Sequence, residues 1–184
     1  MSAMSASLSF QPALSRPDLL AAPVVEAFRG WPGAEEVLVA EIDPELADTA
    51  AFCERYGVSA AESANCVVIA ARRGGTSTYA ACVVTALTRA DVNGLVRRHL
   101  DARKASFAPV ADVTAATGME YGGITPVGLP ADWPVLVDEA VAKTGSVVIG
   151  SGIRGSKLRL PGRLVAAIPS AQVLPGLGVP VGPS

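Results

Sequence analysis

Aromatic residues make up only 5% of the 184-residue chain and charged residues only 17%. The first scarcity leaves a core to be built from Val, Ala, Leu and Ile. The second, in a chain that is half apolar, excludes disorder throughout. A single histidine, His99, and three cysteines without a CxxC spacing (Cys53, Cys66 and Cys82) give no metal-ligand pattern, so no metal and no cofactor is expected. Three thiols cannot all pair with one another, and reduced, mostly buried cysteines are the expectation. No apolar run approaches the roughly 18 residues of a spanning helix. The opening MSAMSASLSFQPALS has no positive region ahead of an apolar stretch. Neither membrane attachment nor secretion is expected, and the cytoplasm is the default compartment.

A length of 184 residues suits one domain. The net charge of −2 hides an asymmetry: residues 1–62 carry ten acids against Arg16, Arg29 and Arg55, whereas residues 63–184 carry seven acids against twelve Lys/Arg. The later part is therefore positive and suits a polyanionic partner. A protein gripping long nucleic acid through its phosphates is usually more basic, and DNA is not expected as a partner.

Residues 1–16 are Ser/Ala-rich and read as a loose N-terminus, 17–174 as the folded domain, and 175–184 (PGLGVPVGPS) as a flexible tail. Pro17 opens a helix ended by Gly30. Glu36 to Ile42 alternates as a strand. Asp48 or Thr49 caps a helix through Tyr56 that Gly57 stops. Asn65–Ala71 and Tyr79–Ala86 are apolar runs joined by a turn, hence a hairpin. Thr88 or Asp91 caps a helix that buries Val92, Leu95, Val96 and Leu100 and turns Arg97, Arg98 and His99 to water. Lys104–Phe107 is a short strand, and Ala111–Thr117 a helix ended by Gly118. Val135–Val137 and Val147–Ile149 are buried strands, with Asp138 capping the helical turn between them. Lys157–Leu160 alternates charge with leucine, Pro161 opens a last helix, and Ala171–Leu174 adds an edge strand. Short helices among apolar strands and hairpins point to an α/β fold of α+β type, a single domain with a curved, mixed, mostly antiparallel sheet flanked by helices.

Two glycine-bearing stretches stand out. Gly118–Pro130, GMEYGGITPVGLP, turns sharply and exposes backbone N–H groups, while Pro126 and Pro130 stiffen its exit. Val148–Leu160, VIGSGIRGSKLRL, is a strand that ends in glycines and resumes as a cationic strand.

The GGITPVG loop followed by GSGIRGSK, with the helix ADVNGLVRRHL and the strand RKASFA in order before them, resembles the YbaK family, relatives of the editing domain inserted in bacterial prolyl-tRNA synthetases. The resemblance spans roughly Thr49 to Leu174. It implies a curved mixed sheet flanked by helices, no metal, and hydrolysis of a wrong amino acid from the 3′ end of a charged tRNA. It also admits an aminoacyl-tRNA synthetase as a partner. In that family the ribose hydroxyl beside the ester helps position or activate the attacking water.

An aminoacyl ester is already activated, so its hydrolysis needs a placed water and donors aimed at the developing oxyanion. Backbone N–H groups at Gly122, Gly123 and Ile124 are the candidate donors, and Thr125 would hold the substrate amine or ribose. Pro126 and Gly128 complete the loop on its substrate-binding side. Gly150, Ser151 and Gly152 form a second concave backbone surface, with Arg154 and Lys157 near the terminal phosphates. One departure stands out: the family carries a lysine at the start of the apolar strand, where this sequence has Asn65. A neutral amide stabilises a phosphate or oxyanion less than a cation does. Lys104 is the candidate spatial replacement, and Asn65 with Lys104 would orient the 3′ end. A Ser151–His99 or Cys–His nucleophile pair has little support. Three readings stay open: a free-standing deacylase for a small amino acid, a non-catalytic module binding tRNA ends, a nucleotide or a synthetase, and a small-molecule binder.

Overall fold

The computed structural model describes residues 7–181; residues 1–6 and 182–184, parts of the expected loose N-terminus and tail, lie outside the described residues. Strand β1 (Gln11–Pro12) leads into two 3₁₀ turns and helix α1 (Ala22–Phe28), so the helix expected from Pro17 is broken into shorter pieces, with Pro23 within its first turn. Then come β2 (Leu38–Glu41) and α2 (Thr49–Tyr56). The Asp48 carboxylate accepts the Ala50 N–H at the N-terminus of α2, and Gly57 at φ +68° ends it. The long hairpin β3 (Ala64–Arg73) and β4 (Thr76–Thr85) turns at Gly74 and Gly75, both at positive φ, the backbone that a tight two-residue turn demands.

Strand β5 (Thr88–Ala90) precedes a π-turn at Val92–Val96 that runs into α3 (Arg97–His99). The turn is started by Asp91, which accepts the N–H groups of Gly94 and Leu95. Strand β6 (Lys104–Phe107), α4 (Val110–Thr117), β7 (Val135–Asp138), α5 (Glu139–Ala142), β8 (Val147–Gly150), β9 (Ser156–Leu160), α6 (Gly162–Val165), β10 (Ala171–Leu174) and β11 (Gly178–Pro180) complete the chain.

The fold is the mixed α/β single domain that was expected, with mostly antiparallel pairing, but the strands divide into three sheets. One runs β1-β2-β9-β8, all antiparallel. The central one runs β10-β7-β4-β3-β6, parallel only at β10/β7 and β7/β4. The third pairs β11 with β5. A lone bridge between Ser63 and Val148 joins the first two at the start of β3. Both chain ends are engaged within the described residues: Ala13 is fully buried beside β1, and Leu177 is fully buried just before β11. Among the described residues no helix is long and apolar enough to cross a membrane.

The largest core cluster fills the space between the two main sheets with Val24, Val39, Val83, Val137, Ile149 and Leu158 among others. With few aromatics available, β-branched and small side chains carry the packing. A second cluster beneath α3 and a third around Phe52 hold the outer helices down. Burying a side chain of the size of Phe52 stabilises the fold by about 1.5–3 kcal/mol.

A candidate active-site cleft

The two glycine-bearing stretches are laced to one another by backbone hydrogen bonds. Glu120 N–H donates to the Gly152 carbonyl at 2.9 Å, Gly152 N–H to the Gly123 carbonyl at 2.7 Å, and Gly123 N–H to the Glu120 carbonyl at 2.9 Å. Such close approach tolerates no Cβ. One added at Gly123 would stand 2.6 Å from the Ile153 backbone, and one at Gly150 would stand 2.6 Å from the Ile124 carbonyl oxygen. Arg154 completes the clasp. Its backbone N–H donates to the Glu120 carboxylate, and its guanidinium donates to the carbonyls of Tyr121 (3.1 Å) and Pro44 (3.0 Å).

Against this clasp lies a cleft of about 330 Å³, lined by Asp48 and Thr49 at the start of α2, Asn65 and Cys66 on β3, Tyr121, Gly122 and Ile124 on the loop, Gly150 at the end of β8 and Lys157 on β9. Gly150 and Lys157 are register partners in the β8/β9 ladder, which places the lysine directly beside the glycine bend. Lys157 is buried. Its ammonium donates to the Ala47 carbonyl at 3.0 Å and lies 5.2 Å from the centre of the Phe52 ring. Burial pulls its pKa below the ordinary lysine value, against the opposing pull of Cys53 and Asp48. The Thr49 hydroxyl donates to the Asn65 side-chain carbonyl oxygen, so the amide is held by the start of α2.

An apolar hollow of about 270 Å³ opens off the cleft. It shares Cys66, Val67, Tyr121 and Ile124 with it and is closed by Val68, Val113 and Phe107. Burial pushes the Cys66 thiol well above its usual range and the Cys82 thiol up to about 12. Neither is a ready nucleophile.

The expected site residues thus separate. Asn65, Gly122, Ile124, Gly150 and Lys157 meet in the cleft. Lys104 does not: it sits on β6 opposite Arg72 of β3, seven residues along that strand from Asn65, or about 23 Å at 3.3 Å per residue. The buried cation that lines the cleft is instead Lys157, and alternation of charge with leucine in a cationic strand does not by itself show which charge is buried. Of the three candidate donors, Gly123 N–H is committed to Glu120, whereas the N–H groups of Gly122 and Ile124 form no hydrogen bond among the described residues. Thr125 is fully buried outside the cleft lining, its hydroxyl without a partner among the described residues.

Pro126 and Gly128 face away, lining a separate hollow with Trp31 and Trp133 behind the loop. Ser151 is buried, its hydroxyl bonded to the carbonyls of Ile153 and Ser156 and to the Ser156 hydroxyl. Gly152 packs on Ala21, where a Cβ would come within 2.4 Å. Arg154 grips carbonyls of its own chain. Among the cleft residues that sequence reasoning passed over, Thr49 and Tyr121 had a visible signal: one sits at an expected helix cap and the other inside the glycine–proline loop.

A family model described as an aminoacyl-tRNA editing domain matches residues 43–167, which include every residue lining the cleft. No curated protein matches the chain. Among solved structures, a candidate trans-editing enzyme for prolyl-tRNA synthetase superposes with a TM-score of 0.71 at 21% identity, covering 84% of this chain and 94% of the other. A scaffold protein from work on computational epitope grafting gives a TM-score of 0.71 at 22% identity, covering 84% and 95%. A hypothetical protein gives 0.67 at 20% identity, covering 77% and 90%. At these identities the structural likeness speaks for the fold alone.

Proposed function

Because the chain belongs to the aminoacyl-tRNA editing-domain family, we propose that it is a free-standing deacylase that hydrolyses the ester joining a wrong, small amino acid to the 3′ end of a tRNA. The observation that carries this reading is that Gly122 and Ile124, whose N–H groups form no hydrogen bond among the described residues, line one cleft together with the desolvated Lys157. Placed donors and a cation in a partly dry site stabilise the charge that develops as water adds to the ester carbonyl. The cation that the family places at the start of β3 is supplied here by Lys157 from β9, while Asn65, steadied by Thr49, offers its amide N–H groups to the ribose or phosphate.

Of the cleft side chains, Asp48 accepts the Ala50 N–H through one oxygen, and burial holds the Cys66 thiol protonated. In this reading the ribose hydroxyl next to the ester positions the attacking water. The amino-acid side chain enters the apolar hollow beside Ile124, whose walls of Val68 and Val113 set the size limit.

A second reading draws on Asn65 itself. With a neutral amide in the family's lysine position, the same cleft would bind the charged 3′ end without cutting it. A panel of mischarged tRNAs, followed by release of free amino acid, separates the two. Turnover that disappears in Lys157→Met with the fold retained supports the deacylase. Binding without turnover on any member supports the module.

A further inference from the structure

Away from the cleft, the cations of the positive half of the chain collect at one end of the central sheet. Arg72 and Lys104 are register partners on β3 and β6, and Arg103 N–H donates to the Arg72 carbonyl at 2.9 Å, which holds the three backbones together. Arg73 lies next along β3, and Arg97 and Arg98 begin the short helix that delivers the chain to this corner. The only acid in the group is Asp101, and it is paired with Arg73 at 3.3 Å. Arg72, Arg98, Arg103 and Lys104 are exposed and form no ion pair among the described residues. Six cations against one acid is a concentration of charge that folding does not need, since none of the free four stabilises a neighbour.

On the other face of the hairpin end, an open hollow of about 360 Å³ sets Arg73 beside its register partner Thr76 and beside Thr78, with the paired Asp101 in its lining, whereas Arg72 stands opposite Ser77 on the face it shares with Lys104. Along β3 alternate side chains share a face, so Arg72 projects on the same side of the sheet as Val68 and Cys66, which line the proposed amino-acid hollow. The corner and the cleft lie about 23 Å apart along that strand. No single nucleotide spans this distance, but a polyanion continuing from a 3′ end held in the cleft does.

We infer that this corner is a second contact for the tRNA body: Arg72, Arg103 and their neighbours bind phosphates of the paired acceptor stem while the 3′ end occupies the cleft. The inference rests on the editing reading for the occupant of the cleft, but its test can fail separately. The affinity of uncharged tRNA is measured across a salt series for the wild type and for Arg72→Ala/Arg103→Ala, exposed positions outside the cleft. Each lost phosphate contact removes about 0.9 from the slope of log K against log salt, so the double variant should be shallower by about 2. Hydrolysis of an aminoacylated CCA trinucleotide should be unchanged in the same variant, while kcat/KM for full-length charged tRNA falls by about tenfold.

An unaltered salt slope overturns the contact, as does an equal loss on the trinucleotide. So does competition by polyglutamate as effective as that by tRNA, which would assign the corner to an acidic protein. A wild type that turns over no charged tRNA but still loses salt slope in the variant sinks the deacylase and leaves this contact standing.

Discussion

Lys157 holds its ammonium 3.0 Å from the Ala47 carbonyl and 5.2 Å above the Phe52 ring, a cation kept in place by one hydrogen bond and one aromatic face. The burial that fixes it also lowers its pKa from 10.5, and this gives the site a pH signature. Activity that needs the charge should decline at a pH below that of an ordinary lysine, and in Lys157→Arg the decline should move to higher pH because guanidinium does not titrate there. For stability, the unfolded chain binds more protons than the folded one between the depressed value and 10.5. Relative to Lys157→Met, the wild type should therefore gain stability as pH rises through that window. Paired urea melts at the two ends of the window check it, and a flat difference would mean that the lysine is hydrated.

Exchanging the two sides of the cleft tests whether a cation is needed or this particular lysine is. Lys157→Met removes the charge and should lower kcat/KM by about 10²–10³, the usual cost of losing one oxyanion donor. Adding Asn65→Lys in that background returns a cation from the opposite strand, and deacylation should recover by about tenfold. A double variant no better than the single would tie the chemistry to β9.

Much of the fold was legible in the residues. Asp48 and Gly57 bound their helix as their capping chemistry requires, and Gly74-Gly75 turned the hairpin. The run Ala171–Leu174 became the edge strand expected of it. The two glycine bends, expected to converge, are joined by backbone hydrogen bonds. What could not be read was which way each member faces. Lys157 and Arg154 sit three residues apart in a cationic stretch, yet one is buried in the cleft and the other grips two carbonyls of its own chain. Pro126 and Gly128 belong to the same short loop as Gly122 but turn their backs on the cleft. Lys104 was misplaced because local sequence does not reveal which end of a ten-residue strand its neighbour will pair with.

The clasp itself can be strained. Gly150→Ala puts a methyl group 2.6 Å from the Ile124 carbonyl oxygen, against backbone that cannot swing aside. A loss of about 1–3 kcal/mol is expected, accompanied by a larger fall in activity because Ile124 lines the cleft. Gly145→Ala, where the added methyl meets nothing within 4 Å, is the control and should melt with the wild type. If both variants melt alike, the two loops are looser than their hydrogen bonds indicate.

A covalent acyl-enzyme is the remaining alternative to direct attack by water, and two side chains near the bends are candidates for it. Ser151 is enclosed, with its hydroxyl engaged by two carbonyls and by Ser156. Cys66 lines the cleft, but burial keeps its thiol protonated at neutral pH. His99, the single histidine, is exposed on α3 and bonded to Gln172 at 2.7 Å, so it serves neither of them as a base. Loss of a true nucleophile costs on the order of 10⁶ in kcat. Cys66→Ala should instead keep most of the activity, and Ser151→Ala should lose stability before turnover. Single-turnover hydrolysis of a radiolabelled aminoacyl-tRNA, quenched in acid, should trap no label on the protein. A labelled acyl-protein that vanishes in either variant would replace the water mechanism with a two-step one.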